Sequence, residues 1–194
     1  MKVAVVKYNA GNIQSVSYAL ERMGINFEVT PDPEKIIAAD KVIFPGVGEA
    51  STTMGYLRSS KLDKVITDLK QPVLGICLGM QLLCKHSDEN NTECLGIFDE
   101  VVRKFESSAK FKVPHMGWNS LNKTTDWISN DLAEKYVYFV HSYYVPVNNY
   151  TTAQTDYAMP FSAAMRKDNF YAVQFHPEKS AEAGQQILNA FLKI

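Results

Sequence analysis

The strongest constraint on the fold is an alternation, in the first half of the chain, between short apolar runs and helical stretches. The run KVAVV (2–6) precedes GNIQSVSYALERMG, in which Ile13, Val16, Ala19, Leu20 and Met23 recur at helical spacing and Gly24 supplies a stop. NFEVT (26–30) and KVIF (41–44) are further strands, separated by a proline-rich turn and a short helical stretch. PGVG (45–48) breaks the chain sharply, and residues 50–69 read as one or two helices. Val73–Ile76 is another apolar run, followed by a helical Leu78–Leu83. Strands alternating with helices in this way require a mostly parallel sheet covered on both faces.

The second half changes character. EVVRKF, WNSL, YVYFV, YTTAQT, SAAMR and FYAVQF are short aromatic or β-branched runs with few helices between them. They predict an antiparallel extension plus further core strands. AEAGQQILNAFLKI then forms a last helix with Ile187, Leu188, Phe191 and Leu192 on one face. The expectation is an α/β fold: an open, mostly parallel twisted sheet with helices on both faces and an antiparallel extension. Its length suits one domain over residues 1–194.

Charge and composition exclude several classes of function. Lys plus Arg number 20 against 21 Asp plus Glu, and a net charge of −1 argues against a general nucleic-acid role. No apolar run approaches the roughly 18 residues of a membrane span. The start MKVAVVKYNAGN turns polar too soon for a signal-peptide core. Cys77, Cys84 and Cys94 have neither disulfide-framework spacing nor a CxxC pair, so a reducing cytoplasmic setting is expected and a metal site is not.

GICLG (75–79) sets Cys77 at a strand-to-helix corner with a glycine two residues to either side. Such a corner is a strained turn that lifts one side chain above a sheet, while the glycines permit close backbone approach. Ligands bind beyond the carboxyl ends of strands in open α/β sheets, and a helix start favours a thiolate. A buried cysteine serving as a small hydrophobe is the plain alternative.

A cysteine nucleophile needs a base and an orienter. Of the four histidines, His86 lies in a polar stretch and is expected to be solvated, while His115 and His141 stay undecided. His176 precedes Pro177, which pushes it towards an extended conformation. Residues 176 and 178 then face the same way, so the Glu178 carboxylate reaches the imidazole. A lone HPE would read as a surface turn with a charge pair. Behind a GICLG corner, the order Cys77, His176, Glu178 points to nucleophile, base and orienter. PGVG is either a plain turn or a backbone that offers the N–H of Val47 or Gly48 to a developing oxyanion, with the N–H of Leu78 as second donor. Glycines at 46 and 48 leave that segment more than one conformation.

PGVG, GICLGMQ and HPEK, in that order, resemble the class I (triad) glutamine amidotransferases over nearly the whole chain. Within that family GMQ, PHMGWN (114–119), HPEKS (176–180) and the opening YNAGNIQSV are similar to the amidotransferase subunits of imidazole glycerol phosphate synthase. Anthranilate and aminodeoxychorismate synthase amidotransferases usually carry GHQ at Gly79-Met80-Gln81 and lack PHMGWN. The resemblance implies that Cys77 attacks the side-chain amide of L-glutamine and that His176 shuttles protons with Glu178 behind it. It implies that Gln81, Glu89, Ser142 and Tyr143 hold the substrate's α-amino and α-carboxylate groups, although SDENNTE around Glu89 also reads as a solvated loop.

No cofactor is implied, and no GxxxxGK phosphate loop is present. Ammonia would pass to a TIM-barrel cyclase subunit of histidine biosynthesis, yielding imidazole glycerol phosphate and an aminoimidazole carboxamide ribotide. Asn12, Gln14, Trp118, Tyr138 and Lys179 fall where that family meets its partner, with core packing as the alternative for Trp118 and Tyr138. The competing readings are an amidotransferase of another pathway, a free-standing γ-glutamyl hydrolase and a non-catalytic regulatory subunit.

Overall fold

Strands whose successive residues are all apolar must be buried on two sides, and the chain meets that demand with a sheet between two helical layers. The computed structural model describes residues 1–9 and 12–194. Ala10 and Gly11 of the opening YNAGNIQSV loop lie outside the described residues. In chain order the elements are β1 (Val3–Val6), α1 (Ile13–Arg22), β2 (Phe27–Thr30), α2 (Pro33–Ile37), β3 (Lys41–Gly46), α3 (Ala50–Ser59) and α4 (Leu62–Asp68). There follow β4 (Val73–Cys77), α5 (Leu78–Leu83), β5 (Cys84–Ser87), β6 (Thr92–Glu93), β7 (Phe98–Lys104), β8 (His115–Ser120) and β9 (Lys123–Thr124). The last are β10 (Tyr136–His141), β11 (Tyr143–Tyr144), β12 (Thr151–Tyr157), β13 (Met159–Lys167), β14 (Phe170–Val173) and α6 (Ala181–Leu192).

The main sheet has the order β2-β1-β3-β4-β14-β13-β12-β9. Its neighbours are parallel from β2 to β14, and β13, β12 and β9 extend it antiparallel. Alternate residues of each strand feed opposite cores. Val3, Val5, Ile43, Leu74 and Ile76 pack on one face with Val16 and Leu20 of α1 and Ile187, Leu188 and Phe191 of α6. Ala4, Val6, Val42, Phe44 and Val73 pack on the other with Ile36, Met54, Leu57, Ile66, Leu82 and Leu83 from α2 to α5. The expected open, mostly parallel sheet with helices on both faces and an antiparallel extension is the observed architecture. Among the described residues no helix is long and apolar enough to cross a membrane.

Four local expectations change. The strand expected to end at Phe44 runs on, because Pro45 and Gly46 pair with Ile76 and Cys77 of β4. Pairing of β3 with β1 has stopped at Ile43, so the missing N–H of Pro45 costs that side no ladder bond. Gly46 therefore serves close packing rather than freedom, since a Cβ there would meet Leu78 Cβ and Gly79 N at 3.0 Å. Only Gly48 of that segment has a positive φ, at 119°. His86 is half-buried in β5, and SDENNTE is a short turn plus β6 rather than a loose loop. Both belong to a four-stranded sheet, β11-β7-β5-β6, in which β5 and β6 are too short and polar to show periodicity. β8 and β10 form a separate antiparallel pair.

The corner after β4 depends on two glycines. A Cβ on Gly79 would lie 2.0 Å from the Phe44 carbonyl oxygen, and one on Gly75 would lie 3.0 Å from the Gly79 carbonyl. Helix α5 thus sits on the backbone of the sheet with no side chain between. Gly79→Ala is expected to destabilise the fold by about 3 kcal/mol, at the upper end for overpacking, because the clash is with backbone. Urea denaturation of the two chains measures it.

Candidate active site

Cys77 ends β4 at φ 54° and ψ −110°, a conformation that L-residues adopt only under constraint. The constraint comes from the β3 and β14 neighbours and the glycine-backed start of α5. The corner leaves the thiol 6% exposed, at the edge of a cleft of about 310 Å³ lined by Val47, Gly48, Leu78, Gln81, Glu89, His141, Ser142 and Tyr143. All seven residues expected to form the oxyanion and substrate site therefore line one cleft with Cys77. Its volume falls at the small end of the range for ligand sites.

His176 follows β14, the parallel neighbour of β4, and is fully buried. Its Nδ1 lies 2.7 Å from Glu178 Oε1. A carboxylate beside Nδ1 fixes the proton there and leaves Nε2 as the basic nitrogen. That Nε2 has no hydrogen-bond partner among the described residues. Burial opposes charge on His176, but the Cys77 thiol and the Glu178 carboxylate outweigh it and raise its proton affinity well above an ordinary histidine's. The turn is stitched to β10: the His176 N–H donates to the Tyr138 carbonyl at 2.9 Å, and the Tyr138 N–H donates to Ser180 Oγ at 2.9 Å.

Glu89 is held by the first turn of α3, where the Ala50 N–H donates to its Oε2 at 2.7 Å. Burial pushes its carboxyl up, against the pull of that N–H. Gln81 is buried with its Nε2 donating to the Tyr143 carbonyl and to Gln174 Oε1, each at 2.9 Å. Gln174 in turn donates to Cys77 Sγ at 3.7 Å. Behind the cleft His141 and His115 form a buried pair, Nε2 to Nδ1 at 3.0 Å. His141 Nδ1–H donates to the Tyr143 carbonyl at 2.7 Å, and Asn119 Nδ2 lies 3.4 Å from His115 Nε2. Burial depresses both imidazoles, His115 to about 4 and His141 to about 3.

Sequence reasoning missed three of these contributions. Asn12, expected at the partner surface, turns its amide inward onto Glu178 Oε1. It sits at the start of α1 with φ 72° and makes no cap hydrogen bond, which frees the side chain. An Asn before a helix usually signals a cap, so nothing in the sequence marked it for this contact. Gln174 was detectable in principle, as a lone amide inside the apolar run YAVQF that had to find partners. The His115–His141 pair was visible as two histidines without a decision between them.

The other expected partner residues lie on the outer face of the β8–β10 pair or beside it. Trp118 is opposite Tyr138, edge-on at 6.0 Å, and the Lys179 ammonium lies 5.9 Å from the Tyr138 ring. Trp118 is 52% exposed and Tyr138 half-buried, so neither is core packing. Met116 and Tyr136 are exposed on the same face, and Gln14 is exposed on α1 with its amide on Tyr18 Oη. Among the described residues no group of three His, Cys, Asp or Glu side chains has metal-holding geometry.

The family model for glutamine amidotransferase class-I matches residues 4–194. The chain belongs to this family. Imidazole glycerol phosphate synthase subunit HisH of Bacteroides fragilis (strain YCH46) is 59% identical to this amidotransferase over 196 residues, covering 100% of both chains. The protein of that name from Idiomarina loihiensis is 42% identical, covering 100% of this chain and 98% of its own. Two solved structures share the amidotransferase fold. A putative GMP synthase subunit from Thermoplasma acidophilum has a TM-score of 0.72 at 23% identity, covering 100% of this chain and 92% of that one. A glutamine amidotransferase has a TM-score of 0.74 at 18% identity, covering 98% and 97%.

The depressed histidines of this amidotransferase set a pH limit. An unfolded chain takes up protons on both imidazoles as pH falls through their ordinary 6.5, whereas the folded pair stays neutral to about 4 and about 3. Across that window the unfolded state binds more protons, so stability falls on acidification. The melting temperature should drop between about pH 6.5 and about pH 5, above the ordinary carboxylate range. His115→Gln should flatten this limb in thermal melts followed by circular dichroism.

Proposed function

We propose that this chain is the glutaminase subunit of imidazole glycerol phosphate synthase in histidine biosynthesis. It hydrolyses L-glutamine at Cys77 and passes ammonia to a separate TIM-barrel cyclase, in keeping with the name of the 59% identical relative. The observation that carries the catalytic part is the 2.7 Å contact between His176 Nδ1 and Glu178 Oε1, which assigns the proton to Nδ1 and leaves the basic Nε2 for the Cys77 thiol.

In this reading Nε2 takes the thiol proton and the sulfur attacks the substrate's Cδ. The C–N bond breaks, the proton passes to nitrogen and ammonia leaves. Water then gives a proton to the same imidazole and attacks the thioester, the C–S bond breaks, and glutamate departs with the thiol restored. The N–H groups of Leu78 and of Val47 or Gly48 hold the oxyanion. Both N–H bonds of Gln81 point inward, so it presents an acceptor to the cleft, which suits the α-ammonium group alongside the Glu89 carboxylate. Ser142 and Tyr143 then take the α-carboxylate.

The partner lies against the outer face of β8 and β10. Exposed Met116, Trp118 and Tyr136 beside Tyr138 and Lys179 have the composition of an interface core rather than of ordinary surface. Val140, on the same strand, lines the cleft at Cys77, so ammonia formed there has one thin layer to cross. Gln14 meets the partner beside this face, and Asn12 links it to Glu178.

Cys77→Ala should abolish glutamine-dependent synthesis while ammonium salts still support it in the complex. His176→Ala should cost ~10²–10⁴-fold and Glu178→Gln less, because one removes the base and the other only weakens its orienter. Glutamine hydrolysis assayed for the chain alone, with the barrel, and with barrel plus nucleotide ligand separates this reading from a free-standing γ-glutamyl hydrolase. A rise of roughly 10²–10³-fold in the last arm, the value of one oxyanion donor brought into line at Gly48, is expected. Equal rates in all three arms would contradict it.

A further inference from the structure

Gln174 has no task in the reaction just described, yet its side chain is fully buried beside the nucleophile. The register of β14 with β4 pairs Val173 with Ile76, so the next residue along each strand sets Gln174 beside Cys77. Its Nε2 lies 3.7 Å from Cys77 Sγ. Among the described residues the acceptor that the thiol itself reaches is the Val140 carbonyl, at 3.9 Å. A carbonyl accepts from a thiol and repels a thiolate, whereas an amide N–H accommodates either and is stronger towards the anion.

We propose that Gln174 is a hydrogen-bond donor that stabilises the Cys77 thiolate, held in its donating orientation by a buried ladder through Gln81 to the Tyr143 carbonyl. The direction of each rung follows from the one group that cannot donate. The Tyr143 carbonyl only accepts, so Gln81 must turn its nitrogen towards it. The same nitrogen faces Gln174, which must therefore present its oxygen to Gln81 and its nitrogen to the sulfur. His141 must likewise carry its proton on Nδ1, and its Nε2 then accepts from His115 Nδ1. A flipped Gln174 would set nitrogen against nitrogen at Gln81 and oxygen against sulfur at Cys77. The neutral histidine pair makes the second hydrogen bond to the Tyr143 carbonyl.

The groups that face Cys77 from the surrounding elements are few. His176 comes from the turn after β14, with Glu178 and Asn12 behind it. Tyr8 follows β1 with its phenol donated to the Pro45 carbonyl, and burial keeps it protonated. His141 from β10, Glu89 and Tyr143 line the same cleft, and burial keeps His141 neutral. None of these is altered by changing Gln174 to a residue of similar volume.

The inference rests on Cys77 being the nucleophile, and its test does not use glutamine turnover. The full-length chain is alkylated with iodoacetamide over the pH range in which thiols titrate, and Cys77 modification is read by peptide mass spectrometry. Burial raises the proton affinity of the Cys84 and Cys94 thiols, Cys94 to about 12, and the peptide readout separates both from Cys77. Gln174→Met should move the Cys77 midpoint up by about one pH unit, the value of one hydrogen bond to a charged group. Gln174→Glu keeps the acceptor for Gln81 but aims a carboxylate at the sulfur, and should move it further. Unmoved midpoints in folded variants overturn the proposal. If neither variant folds, the side-chain amide protons of Gln174 in the unaltered chain decide by NMR: a shift that follows the Cys77 midpoint supports it, and a flat response overturns it. Glutamine hydrolysis by Cys77→Ala would instead refute the reaction above and leave the midpoint comparison standing.

Discussion

Cys77 is held in a backbone conformation that costs on the order of 1–3 kcal/mol, and much of the molecule is arranged so that no cheaper one is open to it. β3 and β14 grip β4 on either side, and α5 rests directly on the Phe44 carbonyl because Gly79 has no side chain. Relaxing the corner would mean lifting a helix whose Leu78, Met80, Leu82 and Leu83 are all buried. Full burial of one such side chain is worth about 1.5–3 kcal/mol, so the packing of a few residues outweighs the strain. The cleft, the nearby amides and the imidazole are placed relative to that corner.

The β8–β10 pair couples two environments through its alternation. One set of its residues, His115, Val137, Phe139 and His141, faces the core, while Met116, Trp118 and Tyr136 face solvent. Backbone hydrogen bonds tie β10 to the His176 turn, and side-chain hydrogen bonds tie it to the floor of the cleft. A shift of this ribbon cannot leave either undisturbed. That is the geometry by which occupation of the outer face would be felt at the thiol.

The sequence made the parallel sheet, the last helix and the corner legible because each has a periodicity or a breaker that survives without tertiary context. The Cys77 corner and the His176–Glu178 couple were readable for the same reason: glycine spacing and a proline fix them locally. Asn12 was not, because its contact with Glu178 joins the two ends of the chain. β5 and β6 were hidden by their shortness and polarity. They are strands because β7 and β11 complete a sheet around them, and that partner set lies outside any local window. Gln174 went unread although its burial was implied, since a strand pattern shows that an amide is inside and not what it touches.

The pairing of β4 with β14 has a consequence for synthesis. These strands are adjacent in the sheet but separated by nearly half of the chain. While a ribosome is still making the segment between them, β4 has an open edge on the side where β14 will lie, and neither His176 nor Glu178 exists. The nascent polypeptide therefore carries its thiol through much of translation without the imidazole, the carboxylate or a closed cleft beside it. The arrangement is completed late and all at once, when β14 docks and brings the imidazole with it. A truncated product that stops short of that strand would hold the cysteine at an open sheet edge with no imidazole beside it.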